Sequence, residues 1–585
     1  MVFYPPEWVP KLPFDPPDSI PISDFMLNEE HGRRPLAQSK PPFTCGITGT
    51  EYTALQVRDR VSSLARGLAN EFGWHPNQKT EWDKVICVFA VNTIDTLTLT
   101  WATHRLAGIS TPANAAYTAD ELEHQLKTSK AKALFTCLPL LPTALEAALK
   151  AGIPKKHIYL FDLPKELLGG AVPPAEFKTV NRLIEEGAHL PKLEELKWKN
   201  GEGAKRVAFL CYSSGTSGLP KAVMVSHRNV IANTLQLATY EKLRFTSGQL
   251  DVVLGLLPQS HIYALVVICH ANVYRGFGVV NLPKFDLQQL LGAIQRFKIN
   301  TLYLVKPVVA IGAAVPPVII ALNKNKDLLS KYDLSSVIGI YTGAAPLGAE
   351  TAQELQTDHP TWVVRQGYGL TETSTVVCST SDHDIFFGSS GSILPATECR
   401  LVSPEGVEIE GYDQPGELLV RSPSVVLGYL NNDAAQKEMF QDGWLRTGDE
   451  AVIRKSPLGH EHIFIVDRIK ELIKGMQVAP AELEAHLLTH PSVADCAVIP
   501  VPDDVAGEVP KAFVVRPASI SAVESEMIVK RSIQKYVEQH KSRHKWLKGG
   551  VEFIDVIPKS ASGKILRRLL RDKERERRRR TGARL

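Results

Sequence analysis

Between residues 82 and 369, short strand-like runs alternate with longer helical ones, and this alternation constrains the fold more than any other feature. An apolar run at 85–91 precedes a helical stretch at 96–107, and further strand-like runs follow at 133–137 and 157–161. The series continues at 251–257, 278–282, 301–305 and 337–341, with a helical pattern at 286–297 between them. Strands separated by helices are joined by crossovers, which implies parallel sheets covered by helices. The expected class is therefore α/β, with a large N-terminal domain over residues 1–466. From 391 to 466 the texture changes to short strands and Gly/Pro turns, as in Gly416-Glu-Leu-Leu-Val-Arg421, which predicts a small β-rich subdomain. After Val466 a helix at 481–489, strands at 495–499 and 511–516 and a helix at 525–540 predict a compact α+β domain over 467–585. A chain of 585 residues exceeds the size at which one core stops growing, so more than one domain is expected.

The composition suits a large soluble enzyme, at 44% apolar and 22% charged residues. Eight cysteines are scattered without a C-x-x-C pair, which argues against a zinc site or a disulfide framework. The prolines and acidic residues of the first turns do not read as a signal peptide. Residues 303–322 are apolar apart from Lys306, but Pro307, Pro316 and Pro317 would break a spanning helix. That segment reads as a buried strand running into an interior helix, and no transmembrane segment is expected. The formal charge of +4 comes from the tail, where residues 567–585 carry ten Lys or Arg against three acidic residues. The body is thus not a polyanion binder, and the tail reads as a solvated helix end rather than a nucleic-acid contact.

Residues 207–210 feed the stretch Tyr212-Ser-Ser-Gly-Thr-Ser-Gly-Leu-Pro-Lys221. Gly215 and Gly218 let the backbone approach an anion closely. Ser213, Ser214, Thr216 and Ser217 add hydroxyl donors, Lys221 adds a charge, and successive N–H groups make an anion nest. The chemistry is that of a nucleotide phosphate loop, although the Walker spacing is absent.

This loop resembles that of the adenylate-forming superfamily, which holds acyl- and aryl-CoA synthetases, luciferases and peptide-synthetase adenylation domains. Five further stretches resemble that superfamily in the expected order. They are Tyr341-Thr-Gly-Ala-Ala-Pro-Leu-Gly348, Gln366-Gly-Tyr-Gly-Leu-Thr-Glu-Thr373, Gly443-Trp-Leu-Arg-Thr-Gly-Asp449, Asp467-Arg-Ile-Lys-Glu-Leu-Ile-Lys474 and Pro558-Lys-Ser-Ala-Ser-Gly-Lys-Ile-Leu-Arg567. The resemblance implies ATP binding by Ser213, Ser214, Gly215, Thr216, Ser217, Gly218 and Lys221. It adds Gly343, Ala344, Ala345, Gln366, Gly367, Tyr368 and Gly369 around adenine, with Asp449 and Arg468 at the ribose. Thr371 would bond the α-phosphate and Glu372 would hold Mg2+. Lys564 would bridge the carboxylate and the α-phosphate. His261 would border the acyl site, with Ile262, Tyr263, Val376 and Val377 lining it. The C-terminal domain would be mobile, with Lys470 as its pivot and Lys474, Gly475 and Gln477 near the coenzyme A path.

The wording is closest to 4-coumarate–CoA ligase-like fungal enzymes, which implies activation of an aryl or medium-chain acid and transfer to coenzyme A. The resemblance leaves open a carrier-protein loader, a luciferase-type oxygenase and an inactive binding homologue. Ser217 and Ala222 depart from a commoner threonine and glycine. The loop Ile473-Lys-Gly-Met-Gln477 is shorter than usual and lacks a second lysine, which bears on the thiol step. Val305-Lys-Pro-Val-Val309 is echoed by Val315-Pro-Pro-Val-Ile319, as an inserted segment or a mis-predicted splice site would produce. The C-terminal Ala583-Arg584-Leu585 resembles a peroxisomal import signal, so the import receptor is an expected partner and the peroxisome the expected address, with the cytosol as the alternative.

Overall fold

The computed structural model describes residues 1–213, 220–243, 250–305, 318, 322, 325–343, 349–473, 478–503, 507–517, 525–559 and 565–582. Two sheets make the large body. One has seven strands in the spatial order Gly428–Tyr429, Lys221–Ser226, Val207–Ser213, Ile109–Ala113, Val85–Phe89, Ala133–Thr136 and Ile158–Leu160. From Val207–Ser213 onward the neighbours are parallel. Every residue of Val85–Phe89 and Ile109–Ala113 is buried, as parallel strands covered on both faces must be.

The other sheet has eight strands, in the order Phe43–Cys45, Gly278–Asn281, Val252–Gly255, Thr301–Val305, Gly339–Gly343, Val363–Leu370, Thr375–Ser379 and Ser392–Ile393. It is parallel up to Val363–Leu370 and antiparallel beyond. The strand expected at 337–341 is found two residues later, because the ladder from Thr301↔Gly339 runs on to Val305↔Gly343. Residues 306–317, where the interior helix was expected to begin, lie outside the described residues. Among those described, no helix is long and apolar enough to cross a membrane.

A five-stranded antiparallel sheet follows, built from Glu398–Val402, Gly416–Arg421, Phe440–Gln441, Trp444–Lys455 and Glu461–Arg468. One piece of this region leaves it. Gly428–Tyr429 pairs antiparallel with Val223 and Met224, so the chain crosses from the β-rich segment to the edge of the seven-stranded sheet.

The C-terminal unit is a three-stranded sheet, Asp495–Asp503, Gly507–Val515 and Val551–Phe553. Leu483 and Leu487 from the helix Pro480–Leu487, with Val529, Ile533 and Val537 from Glu526–His540, cover one face. Leu570, from the helix Arg567–Gly582, packs with Ile499, Phe513 and Ile557 on the other. The α/β body with a smaller α+β C-terminal unit is the class read from the sequence.

Candidate active site

The phosphate stretch forms the connection of a β-hairpin. Val207–Ser213 pairs antiparallel with Lys221–Ser226, and Ser213 faces Lys221 at its neck. Ser226 then caps the helix His227–Tyr240, accepting from Asn229 N at 3.2 Å. The connection itself, with Ser214, Gly215, Thr216, Ser217 and Gly218, lies outside the described residues. Its two ends are fixed by what they touch. Ser213 Oγ donates to Glu372 Oε1 at 3.3 Å, and the Lys221 ammonium sits 5.2 Å from the centre of the Tyr429 ring.

Glu372 lies in the short turn Thr371–Thr373 that follows the strand Val363–Leu370. It is 8% exposed and also accepts from the Tyr429 hydroxyl at 2.7 Å. Thr371, one residue earlier, is half-buried. The turn needs Gly369 before it: a Cβ there would stand 1.5 Å from the carbonyl oxygen of Thr375, where the chain doubles back into Thr375–Ser379. Gln366 and Gly367 lie in the same strand, and the Gln366 amide nitrogen donates to Ser389 O at 3.3 Å.

Tyr368, Asp449 and Arg468 meet from three strands. The Tyr368 hydroxyl donates to Asp449 Oδ2 at 2.6 Å, and Arg468 Nε is 3.5 Å from Asp449 Oδ1. Asp449 and Arg468 are cross-strand partners, so the ion pair follows from the register. Burial and the adjacent carboxylate push the phenols of Tyr368 and Tyr429 upward, so both stay protonated donors. The carboxylate and guanidinium at the expected ribose position are therefore adjacent and oriented.

At the expected acyl site, His261 precedes a π-helix, Tyr263–Ala271. Its Nδ1 accepts from Tyr263 N at 3.2 Å, and burial pushes its imidazole down to about 4, so it is neutral near pH 7. The wide π turn is held by side chains. Trp101 Nε1 donates to His270 Nε2 at 3.1 Å, which leaves His270 Nδ1 to donate to Leu265 O at 2.6 Å. Such turns concentrate at functional sites. Tyr263 donates to Tyr341 O at 3.2 Å, and Tyr263, Tyr303 and Tyr341 form an aromatic group next to Gly343.

Ile262, Tyr263 and Val376 belong to one core cluster. Val377 does not: it packs with Phe3, Ile393, Cys399 and Leu418 under the β-rich sheet. The ladder shifts here, with Val376 opposite Gly369 and Cys378 opposite Tyr368, so Val377 is the extra residue of a bulge and the two valines pack into different clusters.

Ala344, Ala345, Lys474, Gly475, Gln477 and Lys564 lie outside the described residues, but the bases of two of their loops are described. Ile473 and Val478 bridge on either side of residues 474–477, and Lys559 and Ile565 bridge on either side of 560–564. Lys470, the expected pivot, is 66% exposed and pairs with Glu438 at 2.8 Å. Two functional contacts escaped sequence reading. Tyr429 reaches Glu372 from a segment whose only local signal is a Gly-Tyr pair. Arg567, read only as the last residue of a motif, is buried against Glu471 and Glu484.

The residues present fit a magnesium ion that arrives with its nucleotide. Among the described residues no group of three or more His, Cys, Asp or Glu forms a protein cage. A single buried carboxylate beside a phosphate loop is what Mg2+ uses when substrate phosphates and water supply its other ligands.

Residues 35–430 match the AMP-binding enzyme family and residues 482–564 its C-terminal domain. The acyl-CoA ligase easD of Emericella nidulans is 42% identical over 574 residues, covering 98% of this chain and all of that protein. The acyl-CoA ligase cm3C of Cordyceps militaris is 41% identical over 592 residues, covering 98% and 90%. Among solved structures, the anthranilate CoA ligase AuaEII in complex with anthranoyl-AMP superposes with a TM-score of 0.78 at 22% identity, covering 95% of this chain and 98% of that one. A benzoate CoA ligase from Burkholderia xenovorans LB400 gives 0.75 at 19% identity, covering 94% and 100%. The structural likenesses speak for the fold, and the sequence matches span nearly the whole chain: the protein belongs to the AMP-binding enzyme family.

Proposed function

We propose that this enzyme activates an aryl or medium-chain carboxylic acid with ATP and passes the acyl group to coenzyme A, releasing AMP and pyrophosphate. The observation that carries the reading is the convergence, from three different sheets, of the phosphate hairpin, Glu372 and the Tyr368–Asp449–Arg468 group. A carboxylate oxygen is a poor leaving group, and attack on the α-phosphorus converts it to a good one. The nucleophile is already ionised, so positioning and charge stabilisation carry the step. Lys221 and the hydroxyls of 213–217 hold the β- and γ-phosphates, Thr371 meets the α-phosphate, and Asp449 takes the ribose hydroxyls. Mg2+ at Glu372 supplies charge neutralisation. Lys564 bridges the acid and the α-phosphate, and the unit after Asp467 turns about Lys470 to admit the thiol.

The aryl or medium-chain preference is supported by Ile262, Tyr263 and Val376, which are buried and carry no charge to fix an amino group or a second carboxylate. Fungal relatives named acyl-CoA ligases support the thiol step. The tail Ala583-Arg584-Leu585 supports a peroxisomal address, and a fluorescent protein fused at the N-terminus should give puncta that disperse when the tripeptide is deleted.

Acid-dependent ATP–pyrophosphate exchange, with product chromatography over cinnamic, phenylacetic and medium-chain acids, tests acid and acceptor together. Lys564→Ala should slow exchange about 1,000-fold, roughly 4 kcal/mol of barrier. Acyl-adenylate without acyl-CoA would favour a carrier loader, and undiminished exchange in Lys564→Ala would overturn the mechanism.

A further inference from the structure

We propose that Tyr429 is a positioning residue of the adenylation site: its hydroxyl holds one oxygen of Glu372 so that the other faces the magnesium-bound phosphates, and its ring carries the Lys221 ammonium. The proposal rests on the adenylation reading and deepens it. Tyr429 is 6% exposed and arrives on Gly428–Tyr429, the piece that leaves the β-rich segment to pair with Val223 and Met224. That crossing brings the phenol to the base of the phosphate hairpin, two residues along the strand from Lys221.

The placement is locked. Gly428 adopts φ +127°, and a Cβ there would lie 1.7 Å from Gln436 Oε1. The same Gln436 oxygen accepts from Tyr429 N at 3.1 Å. A backbone held this way leaves the side chain little freedom but to point at Glu372.

Among the described residues, the hydrogen bonds to Glu372 fall on one oxygen. Tyr429 Oη donates to Oε1 at 2.7 Å and Ser213 Oγ donates to the same atom at 3.3 Å. Two hydroxyl donors use the lone pairs of that oxygen. Among the described residues no donor is paired with Oε2, which is therefore the oxygen directed to a cation. The carboxylate is oriented before the nucleotide arrives. On its ring face Tyr429 meets Lys221 Nζ at 5.2 Å, within cation–π distance. One side chain thus sets both the group that receives Mg2+ and the cation that receives phosphate.

Calorimetric titration of ATP into the full-length enzyme, with Mg2+ and separately with EDTA, tests this without relying on turnover. Tyr429→Phe keeps the ring and its Lys221 contact and loses only the hydroxyl. It should bind ATP about 10-fold more weakly in Mg2+, roughly 1.4 kcal/mol, and equally well in EDTA. Tyr429→Leu removes the ring too and should weaken binding under both conditions. In a Glu372→Gln background, Tyr429→Phe should change magnesium-dependent binding less than about two-fold, because no carboxylate is left to orient toward the metal. Unchanged binding of Tyr429→Phe in Mg2+, or an equal loss with and without the metal, would overturn the proposal. A magnesium-specific loss in a protein that exchanges pyrophosphate with no acid would leave the positioning role standing and defeat the adenylation reading instead.

Discussion

In the large body His104, His227 and His270 are buried as neutral rings, whereas in the C-terminal unit Arg567 is buried as a cation between Glu471 and Glu484. His104 Nε2 lies 3.1 Å from Ala208 O, and His227 Nδ1 accepts from Ile22 N at 3.1 Å. Burial pushes His104 down to about 3 and His270 to about 4. Arg567 Nη2 instead donates to both oxygens of Glu484, at 2.9 and 2.8 Å, while Nη1 meets Glu471 and Nε meets Val498 O. The difference follows from the size of the core. The body has a large continuous apolar interior, and its polar groups need only be satisfied. The C-terminal unit splits a small interior over two faces of a three-stranded sheet. One guanidinium there joins the segment of Glu471, the helix Pro480–Leu487 and the terminal helix. The contrast has an exception in the body, where Glu241 pairs with both Arg275 and Arg365.

The largest expected effect is at Arg567. Arg567→Ala leaves Glu484 and Glu471 buried without their cation and should cost the C-terminal unit about 3–5 kcal/mol. Hydrogen exchange should rise in the peptides around Phe513 and remain unchanged around Phe209. Equal loosening of both would break the division between the two regions.

Acidification should act in the opposite place. The unfolded chain protonates its histidines near 6.5, while the folded body keeps His104 and His270 neutral to about 3 and 4. Between those values the unfolded state binds the extra protons, so stability falls as pH drops from 6.5 toward 4. The loss in the body should be on the order of 1–3 kcal/mol over the first pH unit. In the C-terminal unit, Arg577, Lys511 and Arg578 hold the Glu574 carboxyl down to about 2. Its contribution persists above the ordinary carboxylate value and is lost only as pH falls from about 4.5 toward 2. Hydrogen exchange at pH 5.5, corrected for the intrinsic rate, should show the body loosening first.

The smallest effect is expected where charge is paired in water. Lys470 and Glu438 are 66% and 58% exposed, so Glu438→Ala should change stability by no more than about 0.5 kcal/mol. A melting temperature displaced as far as in Arg567→Ala would show that the exposed pair matters as much as the buried one.

Much of this was legible in the chain. The alternation of strands and helices depends on local periodicity, and it located Thr301–Val305 with both ends right and Val85–Phe89 and Asp495–Asp503 with only their C-terminal ends in error. Asp449 and Arg468 were legible as ribose-site candidates because each sits in a motif, and their pairing needed only an antiparallel register. What was missed has a tertiary cause: Tyr429 carried no motif, and its contact with Glu372 exists only because Gly428–Tyr429 crosses to the edge of the seven-stranded sheet.

By itself the sequence determined the α/β class, the order of the nucleotide-binding stretches and the residue types available for adenylation, because these depend on composition and spacing along the backbone. Only the tertiary structure decided which oxygen of Glu372 is held and which charges are buried with Arg567. Each of those depends on two segments more than fifty residues apart arriving at the same few ångströms: Glu372 and Tyr429 are separated by 57 positions and Arg567 and Glu471 by 96. Such meetings are set by how strands cross and sheets pack, and local patterning carries no record of them.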